Sequence, residues 1–148
     1  MSVKVLALLI AAGSGVTMAL QGSLNAALGK VIGFLEATFI VHLIGLALVA
    51  ALLFVFSLGC GKLAQFTQAP WYTYLGGGLG VFIIYGVVRS IPKVGVAPAT
   101  TAIILGQVLT ASLIDHFGLL GMEKLPFTWL RIAGMFLMTA GAWLLLKK

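Results

Sequence analysis

Long stretches without a charged side chain divide this chain into five parts. Val5–Gly29 and Ala37–Gly61 each run for 25 residues with no Asp, Glu, Lys or Arg; Leu63–Val88 runs for 26 and Val94–Ile114 for 21. A fifth stretch, Leu125–Leu146, is interrupted only by Arg131. A helix crossing the hydrocarbon core of a bilayer needs about 20 apolar residues. Five such runs have no place in a water-soluble domain of 148 residues. In lipid the backbone must satisfy its own hydrogen bonds, so each run reads as a helix. The expected fold is an all-α integral membrane protein with five transmembrane helices, a single transmembrane domain over residues 1–148.

The helices are expected at about 5–28, 38–58, 71–88, 97–117 and 127–146. Helix breakers mark the joints: Gly29 to Gly33, Gly59 to Gly61, Pro70, Pro92 with Gly95, and Gly118 to Pro126. Pro98 falls in the first turn of the fourth helix, where its missing N–H costs nothing. Trp71, Tyr72, Tyr74 and Trp129 fall near the expected membrane surfaces, as an aromatic belt does. All connections are short, which places any function between the helices.

Composition narrows the function classes. Hydrophobic residues make up 61% of the chain, against about half in a soluble domain. The net charge of +6 comes from basic residues at helix ends and not from a Lys/Arg cluster, so nucleic acid is not an expected partner. The single Cys60 excludes an intramolecular disulfide and indicates no metal site. The first apolar run is too long for a signal-peptide core and carries Gln21 and Asn25, so it reads as a retained helix. No Gly-x-Ser-x-Gly, His-Glu-x-x-His, phosphate loop or CxxC occurs, and the three carboxylates are dispersed. Neither an enzyme nor a cofactor is expected, and no catalytic or metal-binding residue is assigned.

Five spans put the termini on opposite sides, and the basic residues divide almost evenly between those sides. Lys4, Lys62, Lys124 and Arg131 fall on the N-terminal side; Lys30, Arg89, Lys93, Lys147 and Lys148 fall on the other. A protein of fixed orientation carries a cytoplasmic excess of Lys and Arg. The even split points to dual topology, with copies inserted both ways up and paired as an antiparallel homodimer. A single orientation set by a small bias is the alternative. Many secondary transporters consist of two inverted repeats with the substrate site between them near the midplane. One five-helix chain supplies one such repeat, so two opposed copies make a ten-helix transporter-like unit.

Few polar groups lie at membrane depth. Gln21 and Asn25 are four apart and project from one side of the first helix. Unpaired amides are costly in hydrocarbon, so these face protein or a wet cavity. Gln107 lies near the middle of the fourth helix, with Thr100, Ile103 and Ala111 on its face. Gln21, Asn25 and Gln107 are the candidates for a substrate cavity; interhelical hydrogen bonding is the competing role. His42, well inside the second helix, is a possible proton carrier, or a neutral imidazole bonded to a neighbour. Asp115, with His116, ends the fourth helix and is the second possible proton carrier; anchoring at the surface, or pairing with Lys124, is the simpler role. Glu36 complements the positive start of the second helix. Gly76 and Gly80 form a GxxxG pair, and Gly134 and Gly141, seven apart, share a face of the fifth helix.

Three segments carry a family resemblance: Ala19-Leu-Gln-Gly-Ser-Leu-Asn-Ala-Ala-Leu-Gly29; Val94-Gly-Val-Ala-Pro-Ala-Thr100; and Gly106-Gln107 running on to Leu113-Ile-Asp-His-Phe-Gly118. In order and spacing the chain resembles the YdcZ-like family, half-size five-helix members of the drug/metabolite transporter superfamily. The resemblance covers essentially the whole chain. It implies a multi-pass protein of the bacterial inner membrane that exports small molecules, occurring as single, paired or fused inverted halves. Residues from about Ile91 to Leu146 also resemble the last two helices of small multidrug resistance exporters. That likeness implies a dimer contact at Gly134 and Gly141. Those exporters couple to protons through a glutamate in their first helix, and the comparable residue here is Gln21, an amide that does not titrate.

The expected function is therefore a membrane transporter working as an antiparallel dimer by alternating access, with membrane lipid and a small-molecule substrate as its other partners. An uncharged cavity lining points to a small polar, neutral or weakly charged metabolite. A lipid or lipid-linked-sugar flippase is one alternative, and a non-transporting accessory subunit is another.

Overall fold

The computed structural model describes residues 2–147. It is all helical, with no strand among those residues. The five long helices are α1 (Val3–Ile32), α2 (Phe34–Ala50), α3 (Leu75–Val94), α4 (Val96–Phe117) and α5 (Trp129–Leu146). One π-helical turn, Ala51–Val55, extends α2, and a 3-10 turn, Trp71–Tyr74, leads into α3. Counting these extensions, five helices are long and apolar enough to cross a membrane. The protein is thus an all-helical chain with five candidate spans.

Large apolar side chains point outward along every span, among them Leu9, Phe39, Phe82, Leu109 and Phe136. The buried residues are mostly small: Ala26, Ala37, Ala99 and Ala142, with Val88 and Ile91 the larger ones. Such a surface suits lipid or further protein as its solvent, not water. Two compact units are distinguished by their internal contacts, residues 1–93 and 94–148.

Helix ends differ from the sequence expectation in informative ways. Helix α1 begins two residues before and ends four residues after the expected 5–28. Helix α3 passes through Pro92 and stops at Val94, whereas the expected end was Val88. Proline's fixed φ near −65° is itself helical, so Pro92 falls within the last turn of α3. The helical conformation is broken at Gly95, with φ 95° and ψ 164°. Gly33 has nearly the same conformation, φ 101° and ψ 156°, and joins α1 to α2 as the single residue between them. This region of backbone space is essentially restricted to glycine. At both junctions the carbonyl of the glycine accepts the N–H four residues on: Ala37 at 3.0 Å and Ala99 at 3.2 Å. Each of those alanines is buried and precedes a threonine, so Gly-x-x-x-Ala-Thr occurs at Gly33–Thr38 and again at Gly95–Thr100.

The far end of α2 loosens by steps. Phe56 N–H bonds to Ala51 O and Leu58 N–H to Leu52 O, both at 3.0 Å. These widened turns end at Ser57, where φ is positive at 52°. The connection that follows is anchored by hydrogen bonds from the Tyr74 hydroxyl to Phe66 O and from Thr73 Oγ1 to Pro70 O at 2.7 Å.

Candidate functional site

In the first unit the site is built on close approach between α1 and α3. Gly22, Asn25, Ala26 and Gly29 are the buried residues of α1, and their spacing of three to four places them on one face. A methyl group on Gly22 would lie 3.1 Å from Val87 Cγ1 and 3.2 Å from Ile91 Cδ1. On Gly29 it would overlap Val88, a residue with no exposed surface. These two glycines therefore make room for the branched side chains of α3. Asn25 is held in the same strip and is only 7% exposed. Its amide has no hydrogen bond to another side chain or to backbone among the described residues, and Gln21, one turn away, is exposed. The two amides that the sequence groups together thus have different surroundings.

Helix α2 carries the second part. Thr38, 2% exposed, donates its hydroxyl hydrogen to Phe34 O at 2.8 Å, as a threonine in a helix readily does. The Thr38 carbonyl in turn lies 2.8 Å from His42 Nδ1. A carbonyl can only accept, so Nδ1 carries the hydrogen and donates it. Nε2 points to Gly80 of α3, where an added methyl would be 3.8 Å away. His42 is eight residues from the start of α2, about 12 Å along the axis at 1.5 Å per residue. It is half-buried near the middle of the span.

A groove of about 700 Å³ runs beside α2 and takes in His42. Ile32, Leu35, Phe39, Ile40 and Val81 supply its apolar lining, with Glu36, Thr38 and His42 as the polar members. The size falls within the range of small-molecule sites, about 300–1,000 Å³. Glu36 lies in the first turn of α2 with its carboxylate folded over Gly33. The sequence reading gave Glu36 only a role at the helix start and assigned no part to Thr38 or to the clearance at Gly80. The four-residue spacing of Thr38 and His42 is the signal that was available.

The second unit is a helical hairpin whose loop is tightly specified. Gly118 ends α4 in the left-handed conformation. The Asp115 carbonyl accepts from Leu125 N–H at 2.8 Å. His116 Nδ1 accepts the Phe127 N–H at 3.1 Å, and its ring stacks on Phe127 with centroids 4.6 Å apart. Thr128 caps α5 by accepting from Arg131 N–H at 3.3 Å, and the Arg131 guanidinium donates to Leu125 O. His116 is thereby occupied in holding the loop. Gln107 is exposed on α4, whereas Thr101, Leu105, Val108 and Ser112 form a half-buried strip along that helix. An added methyl at Gly134 or Gly141 would meet nothing within 4 Å, so packing inside the chain does not demand glycine at either position.

Of the residues singled out from the sequence, Gln21, Asn25 and His42 belong to the first unit, and Gln107, Asp115, Gly134 and Gly141 to the second. The groove takes in His42 but not Gln21 or Asn25.

Residues 6–144 match a family model described as "Putative inner membrane exporter, YdcZ". No curated protein matches the chain, and no solved structure does.

Proposed function

The chain belongs to the YdcZ family of inner membrane exporters and is a multi-pass protein of that membrane, and we propose that it carries small molecules as an antiparallel dimer by alternating access. The observation behind this reading is the groove on α2. It takes in one titratable ring well inside a membrane span, with Glu36 in the first turn of that span and a lining that is otherwise mostly apolar. Titratable groups at that depth mark transport pathways and proton relays. The near-even division of basic residues between the two membrane faces supports opposed insertion. Exposed amides at Gln21 and Gln107 are available to a second copy, and Asn25 retains unused hydrogen-bonding capacity in the α1 strip. In this reading Gly134 and Gly141 form the dimer contact, and their glycine identity serves the partner copy.

Membership in this family supports a transport role. His42 is the favoured proton carrier. Asp115 is the weaker candidate because it sits at the end of α4, beside the loop it helps to hold.

Two experiments test the proposal. Reporter fusions at the C-terminus should give signal on both sides of the membrane; signal on one side alone rejects dual topology. Purified protein in proteoliposomes should release loaded substrate faster when a pH gradient is imposed, and His42→Gln should flatten that pH dependence. An unchanged profile in the variant removes His42 from coupling. Lipid flipping is the second reading, favoured by one observation: the groove is open along its side and lined by exposed apolar residues such as Leu35 and Phe39. Scrambling of a labelled lipid by the same proteoliposomes distinguishes it.

A further inference from the structure

The loop between α4 and α5 is closed by a hydrogen bond that only an uncharged histidine can accept. The backbone of this loop is unfavourable in itself. Gly118, Leu120 and Gly121 all have positive φ, at 64°, 57° and 79°, and a leucine rarely adopts that conformation. Three hydrogen bonds gather the chain around it. Leu125 N–H donates to Asp115 O at 2.8 Å, the Arg131 guanidinium donates to Leu125 O at 3.1 Å, and Phe127 N–H donates to His116 Nδ1 at 3.1 Å. The first two acceptors are backbone carbonyls, which do not titrate near neutrality. The third is an imidazole nitrogen.

Nδ1 accepts a hydrogen bond only while it carries no hydrogen, so the neutral ring of His116 has its hydrogen on Nε2. Histidine changes charge between about pH 5 and 8. The incoming proton takes the lone pair that holds Phe127, and two N–H groups then face each other. The charges around the ring favour its departure from the loop. Asp115 precedes it on α4, and the negative C-terminal end of that helix attracts a cation. On the loop side Lys124 packs over Gly118 and Arg131 of α5 is bound to Leu125 O, so both repel a positive ring; Glu123 in the same loop is exposed. Phe127 immediately precedes Thr128, the residue that caps α5. Releasing the Phe127 amide therefore loosens the entry to α5.

We infer that His116 makes the α4–α5 loop a pH-sensitive latch, closed on Phe127 while the ring is neutral and released when it is protonated. The latch uses neither the α2 groove nor His42, so it stands apart from the carrier reading.

The test follows the Phe127 amide by NMR in the full chain, labelled with 15N-phenylalanine and held in detergent micelles. Its exchange rate with water is divided by that of an unstructured peptide at the same pH, which gives a protection factor. Protection should fall several-fold between about pH 8 and about pH 5. His116→Asn supplies a carboxamide oxygen that accepts but does not titrate, and should keep Phe127 protected at both values. His116→Phe keeps a ring to stack on Phe127 but offers no acceptor, and should leave the amide poorly protected at both. The wild-type profile should persist in His42→Gln, which removes the other histidine. Equal protection of the wild-type amide at the two pH values overturns the inference. A wild-type pH profile in either His116 variant also overturns it, as does loss of the profile in His42→Gln.

Discussion

The junctions at Gly33 and Gly95 have almost the same backbone and different surroundings. Both glycines occupy the same restricted region of φ and ψ, and both accept the N–H of a buried alanine four residues on. The third position after the glycine is where they part: Glu36 follows Gly33, and Pro98 follows Gly95. Proline in a first helical turn gives up an N–H that has no helical partner and fixes φ at the helical value, so Pro98 serves the backbone. Glu36 lies in the first turn of α2 with its carboxylate over Gly33, and the residue is one of those beside the groove. One geometry thus carries a proline at one junction and a carboxylate at the other.

The largest expected effect comes from the glycines themselves. Gly33→Ala and Gly95→Ala should each lose about 1–3 kcal/mol through backbone strain, read as a fall in Tm of purified protein. The two losses should be alike: at Gly33 the methyl meets the far end of the exposed Glu36 side chain, which can swing aside, and at Gly95 the nearest atom is Pro98 Cδ at an ordinary 3.6 Å. A clearly larger loss at Gly33 would mean that the Glu36 carboxylate is held in place.

A middle-sized effect separates the two threonines. Thr38 is buried and bonded to Phe34 O, while Thr100 is half-buried. Thr38→Val should cost roughly 1 kcal/mol, the net value of one hydrogen bond, and Thr100→Val less than half of that. Thermal unfolding in detergent checks the difference, and the reverse order would break the parallel between the two junctions.

The smallest effect on stability, and the most telling for function, is exchange at the third position. Glu36→Pro and Pro98→Glu should each change stability by less than about 1 kcal/mol, because first-turn positions tolerate proline. Transport should fall sharply in the first variant and stay near wild type in the second. Loss of transport in both, with folding retained, would give the third position one shared task.

These outcomes bear on what the sequence discloses. The five spans are legible because charge is expensive in hydrocarbon, so the charge-free runs outline them directly. Their ends are less legible. Pro92 looks like a stop, yet its fixed φ is compatible with the last turn of α3, and the helical conformation is broken only at Gly95. The likeness of the two junctions is hidden by Glu36 and Pro98, which obscure the shared Gly-x-x-x-Ala-Thr pattern until the backbone angles are seen. Gln21 and Asn25 are neighbours by spacing, but burial distinguishes them, since burial depends on where Val87, Val88 and Ile91 of α3 pack. The bonds of Thr38 and His42 within α2 are likewise invisible in residue names: only the geometry shows Thr38 Oγ1 committed to Phe34 O and His42 Nδ1 to Thr38 O.

One dimension of α1 reaches beyond the protein. Its charge-free portion, Val5–Gly29, has 25 residues and is about 37 Å long, against a hydrocarbon thickness of about 30 Å. A stretch of that length spans the hydrocarbon with some tilt. Acyl-chain length then becomes a control on the molecule: longer lipids draw α1 upright and shorter ones press it down. Because Gly22 and Gly29 bind its course to α3, the bilayer can tune the packing of the first unit with no ligand at all.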